Sequence, residues 1–124
     1  MKTSYFARAF RLPRSEFFVV RISIGAPRGG KCDSFIPSLA PTWAMLEEGY
    51  GEKEYFTQLH AVGVEDIQQQ LVAVEGEAKG REVLLCCFES LAPVKVAEGQ
   101  WCHRRLFADW WEQKTGILIA EYQP

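Results

Sequence analysis

The chain has few cysteines, four in 124 residues, and no two of them are spaced as Cys-x-x-Cys. Their actual spacing matches no familiar zinc pattern, so neither a structural metal nor another cofactor is expected. No apolar run approaches the roughly 20 residues that a membrane-spanning helix needs, which excludes a helical membrane protein and a membrane partner. The first residues, Met1-Lys2-Thr3-Ser4, lack the apolar stretch of a secretory signal. Cytoplasmic residence is therefore expected, with reduced thiols and no intrachain disulfide. The glycine-rich segment Gly25-Ala26-Pro27-Arg28-Gly29-Gly30 has no Gly-Lys-Ser/Thr, so it is not a Walker loop. There is no internal repeat and no low-complexity tract.

What is present is an ordinary globular composition, 48% hydrophobic and 24% charged. At this length the chain reads as one domain spanning 1–124, with enough residues to bury a core without staples. The net charge of −2 hides an asymmetry: residues 1–33 carry seven Lys/Arg and two Asp/Glu, while 34–100 carry four and eleven. A basic first third admits nucleic acid or phosphate as a partner. Arginines with solvated heads and apolar-packed stems are the favoured explanation, since the overall pI is acidic.

Periodicity orders the rest. Residues 5–10 alternate aromatic, small and basic residues as a short strand. Residues 17–24 are β-branched and aromatic, and predict the first firm strand. Residues 31–40 look irregular, and Pro41-Thr42 opens a short helix through Glu48. Residues 52–62 place Tyr55, Leu59 and Val62 on one helical face, and residues 64–78 do the same with Val64, Ile67, Leu71 and Val74. Residues 82–88 are a continuous apolar run, as expected of a buried central strand, and place Cys86 and Cys87 on opposite faces. After a loop over 89–101, residues 102–114 predict a helix burying Leu106, Phe107, Trp110 and Trp111. Gly116 caps it, and residues 117–122 predict a last strand. Helices between strands this close in sequence imply right-handed parallel crossovers. The expected class is α/β, a mainly parallel sheet flanked by helices in a Rossmann-like three-layer arrangement.

Such sheets bind ligands beyond the carboxyl ends of their strands. The loops after Ile24 and Phe88 share that edge if their strands are parallel, which draws Arg28 and Lys31 toward Arg104 and Arg105. Cys102-His103-Arg104-Arg105 opens a helix, where unpaired N–H groups and the dipole favour an anion. Two arginines in that first turn call for a counter-anion or an acidic partner. The expectation is a phosphate- or nucleotide-type ligand, with hydrolase or transferase chemistry as one outcome. In the catalytic reading, Cys102 is the nucleophile, His103 its base and Glu89 the acid/base group. The cysteine-phosphatase spacing is missing, because Ala108 stands six places after Cys102 and Pro93 six after Cys87. A metal held by Cys87, Cys102 and His103, with Glu89 or His60, has suitable ligand types and the wrong spacing. In the structural reading, Cys102 and His103 order the loop, and Arg104 or Arg105 pairs with Asp109 or Glu112. The alternative to a pocket is a non-catalytic nucleic-acid-binding accessory module that uses Tyr5, Phe6, Arg8, Phe10, Arg11 and Arg14.

These residues resemble those of one known family. The apolar strand ending in Cys87-Phe88-Glu89, then Cys102-His103-Arg104, then a helix carrying Ala108-Asp109-Trp110-Trp111 resembles domain of unknown function family 488. Its signature is Leu-Cys-x-Glu followed by Cys-His-Arg. Ser23, Pro27 and Leu39-Ala40-Pro41 resemble further family positions, over roughly residues 17–122. The resemblance implies an α/β fold and no established activity. It adds Ser23 and Cys87 to the ligand-binding positions Arg28, Arg104 and Arg105.

Overall fold

The apolar run predicted to be central is central. In the computed structural model, which describes residues 1–47, 51–88 and 102–124, β4 (Glu82–Cys87) is the middle strand of a five-stranded sheet. The other strands are β1 (Lys2–Tyr5), β2 (Phe17–Arg21), β3 (Ser34–Phe35) and β5 (Ala120–Glu121). Their order is β3-β2-β4-β1-β5, and every pairing is parallel. The helices are α1 (Phe6–Ala9), α2 (Trp43–Glu47), α3 (Glu52–Val62), α4 (Val64–Ala78) and α5 (His103–Thr115), with a 3-10 turn at Pro37–Leu39. The fold is thus α/β, with a parallel sheet flanked by helices.

β4 shows why both faces must be covered. Val83 and Leu85 pack among Tyr55, Leu59, Ile67, Leu71 and Phe107 from α3, α4 and α5. Leu84 and Cys86 point the other way, into a smaller cluster with Phe6, Ala9 and Val19. Burying each of the three aliphatic side chains contributes ~1.5–3 kcal/mol. The predicted stripes form the faces that α3, α4 and α5 bury, with Val62, Val64 and Leu106 partly buried at their margins. Gly63 ends α3 and begins α4 at φ 91°, a left-handed conformation that favours glycine. Gly116 ends α5 in the same way.

Four expectations need correction. The strand near the amino terminus is Lys2–Tyr5, and residues 6–9 are helical, because the polar pair Thr3 and Ser4 is wholly buried between β4 and β5. The last strand comprises only Ala120–Glu121, since Ile117 and Leu118 are exposed and unpaired in the sheet. The irregular stretch 31–40 contains β3, which adds to the edge of β2, and the 3-10 turn. The first firm strand stops at Arg21, so Ile22–Ile24 already belong to the loop. The helix predicted through Glu48 is described to Glu47, and the loop over 89–101 lies outside the described residues.

Candidate functional site

The chain leaves β2 toward β3 on one side of the sheet and leaves β4 toward β5 on the other. A crevice therefore opens between the carboxyl ends of β2 and β4. It is a cleft of about 520 Å³ lined by Ser23, Gly25, Arg28, Trp43, Phe88 and His103. Phe88, the first residue past β4, meets the loop after β2 at this edge, as parallel strands require, and the rest of the loop after β4 lies outside the described residues.

Each lining group has a local cause. Trp43 opens α2 and is 56% exposed, and Phe88, just past β4, is 50% exposed. A Cβ on Gly25 would stand 3.7 Å from the Phe88 ring and 3.8 Å from that of Trp43, so both rings border the same loop. The Ser23 hydroxyl donates to the Gly25 carbonyl at 2.7 Å and curls that loop inward. Arg28 is exposed and, among the described residues, belongs to no salt bridge. His103, the first residue of α5, is buried, and its Nε2–H donates to the Ile22 carbonyl at 2.7 Å. Its ring also meets Tyr55 edge-on at 5.8 Å. Gly30, in the glycine-rich segment after Ile24, makes room for Phe10. A Cβ there would come within 3.0 Å of that ring.

Behind the cleft lies a second, buried group. Arg104 is wholly buried and clasps Glu121 through Nε to Oε1 at 3.0 Å and Nη2 to Oε2 at 2.8 Å. Its Nη1 points at Cys87 Sγ, 2.9 Å away, and at Cys102 Sγ, 3.2 Å away. The two sulfurs are 3.8 Å apart. Burial opposes the charge on Arg104, but the Glu121 hydrogen bonds and the two cysteine sulfurs outweigh it and hold its pKa well up. Arg105 donates to Thr3 Oγ1 at 2.8 Å and to the Ile119 carbonyl at 3.0 Å.

The predicted site therefore divides. Ser23, Arg28 and His103 share the cleft; Cys87, Cys102 and Arg104 form the buried group; Arg105 ties α5 to β1 and the approach to β5. Glu89 lies outside the described residues. Arg104 takes Glu121 as its acidic partner, rather than Asp109 or Glu112, while Arg105 bonds to Thr3 and the Ile119 carbonyl. Cys102 caps α5 from a buried position, with Sγ turned to Arg104 and Cys87 rather than into the cleft. Sequence reasoning missed Trp43, Tyr55 and Glu121. A tryptophan two places after Pro41 and a carboxylate closing an apolar run were the available signals.

Tyr55 supports the site from α3. Its buried hydroxyl donates to the Leu39 carbonyl at 2.7 Å. Burial first, and then the nearby Cys87 and Cys102, hold its pKa well above the ordinary tyrosine value. Because the folded pKa is the raised one, the stability gained is complete below the unfolded value near 10 and declines as pH rises past it. Tyr55→Phe is expected to cost about 1–3 kcal/mol at neutral pH, since it strands a buried carbonyl, and to flatten that alkaline decline. Urea unfolding at neutral and alkaline pH measures both; an unchanged midpoint at neutral pH contradicts the first.

Among the described residues no three His, Cys, Asp or Glu side chains are grouped to hold a metal, and no helix is long and apolar enough to cross a membrane. Compared with known proteins, the chain matches no family model, no curated protein and no solved structure.

Proposed function

We propose that the chain binds a nucleotide-type ligand, an aromatic ring bearing phosphate, in the cleft between β2 and β4. The observation that carries this reading is two exposed aromatic rings, Trp43 and Phe88, placed with Arg28 and the first residue of α5 around one concavity. Flat rings stack on a base, an arginine fork takes phosphate oxygens, and a helix start adds N–H groups and a favourable dipole. A cleft of about 520 Å³ is of the size that small-ligand sites have. The sequence pattern also supports a place for the chain in domain of unknown function family 488, and the four free thiols suit a cytoplasmic setting.

The test is calorimetric titration with a nucleoside monophosphate, with inorganic phosphate and the free nucleoside as separate arms. The nucleotide is expected to bind more tightly than either fragment. Arg28→Ala should lose about 1.5–3 kcal/mol, roughly tenfold to a hundredfold in affinity. Trp43→Ala should lose about 1–3 kcal/mol through stacking. Equal, weak binding by the parent and both variants contradicts the reading. Steeply salt-dependent binding of single strands without nucleotide binding would favour the nucleic-acid module instead. Two residues of that alternative are poorly placed for it, since Phe6 is buried and Arg14 is engaged with Asp33.

A further inference from the structure

We propose that Cys87 and Cys102 are a redox-active dithiol that a hydroperoxide oxidises to a disulfide. The inference is independent of the ligand in the cleft. Cys87 ends β4 and Cys102 caps α5, so the fold brings together two thiols that sequence spacing left apart. Their sulfurs are in van der Waals contact at 3.8 Å.

The surroundings differ from those of an ordinary buried cysteine, which behaves as a small hydrophobe. Cys86, one residue earlier, is such a case: it lies in the apolar cluster on the opposite face, and burial pushes its thiol far up. Cys87 and Cys102 instead face one nitrogen of a buried guanidinium, at 2.9 and 3.2 Å. A cation at that distance favours thiolate, the nucleophilic form. The two bonds from Glu121 prevent the guanidinium from turning away. Cys102 is the attacking residue, because it retains 8% exposure while Cys87 has none.

The chemistry balances as two steps. The Cys102 sulfur attacks the peroxide, an S–O bond forms and the O–O bond breaks. The thiol proton leaves with the departing oxygen as alcohol or water, and the sulfur becomes a sulfenic acid. The Cys87 sulfur then attacks Cys102, the S–S bond forms and the S–O bond breaks. The second thiol proton leaves with hydroxide as water. The two sulfurs together give up two electrons, and one peroxide is reduced.

The experiment treats the reduced full chain with hydrogen peroxide, alkylates the remaining thiols and maps disulfide-linked peptides by mass spectrometry. The expected product links Cys87 to Cys102 and leaves Cys32 and Cys86 alkylatable. Cys102 should oxidise roughly tenfold or more faster than Cys32, whose thiol burial pushes up despite Arg21 and Arg14 nearby. Cys87→Ala should abolish the link and leave a sulfenic acid on Cys102 that dimedone captures. Four thiols oxidising at one rate without a Cys87–Cys102 link would overturn the proposal, as would a link joining Cys32 to Cys86.

Discussion

Arg104→Ala is expected to destabilise the fold by about 3–5 kcal/mol, the cost of breaking a buried ion pair from one side. At a urea slope of about 2 kcal/mol/M this moves the unfolding midpoint down by about 2 M. Arg104 is wholly buried and its partner Glu121 is 15% exposed, so removing the guanidinium leaves a carboxylate with little water to replace it. Thr3 Oγ1 still donates to that carboxylate at 2.7 Å, but one neutral hydrogen bond does not replace two charged ones. The lost partner also withdraws a tie between α5 and β5 and the packing of the guanidinium over the Tyr5 ring. The pair Arg104→Met with Glu121→Leu is expected to recover most of the loss, because it removes both charges and keeps the volume filled. A single variant that loses less than about 1 kcal/mol would show that water reaches Glu121 in the folded state.

Phe107→Ala is expected to cost about 3–5 kcal/mol through lost transfer energy and the cavity left behind. Phe107 is wholly buried on α5, with Trp111 5.9 Å and Trp110 6.4 Å away between ring centres. It belongs to the core cluster that joins α3, α4 and α5 to β4, so a void there loosens the helix that carries His103 into the cleft. The two indoles are large and mutually packed, which leaves little freedom to collapse into the space. Val72→Ala on the exposed side of α4, 59% accessible, is the control and should stay within about 0.5 kcal/mol. Comparable urea midpoints for the two variants would contradict the assigned core.

Period and composition were sufficient for the helices α3, α4 and α5 and for the central strand β4, because apolar spacing is a local property that survives folding unchanged. They were sufficient also for the parallel class and for the shared edge at which β2 and β4 end. They were blind to β1, since Lys2-Thr3-Ser4-Tyr5 has no apolar pattern and is buried only by virtue of its neighbours β4 and β5. The length of β5 was equally hidden: Ile117, Leu118 and Ile119 are all aliphatic, yet the sheet pairs only the two residues after them. The residue types of the site were readable, a thiol, an imidazole and two guanidinium groups at a helix start. Their division was not. Whether Arg104 turns toward a ligand or toward Glu121 depends on where α5 docks against β1 and β5, and whether Cys87 meets Cys102 depends on β4 ending beside the start of that helix. A polar side chain takes the partner that packing brings within about 3 Å. Such a partner is set by contacts distant in sequence, which no local pattern encodes.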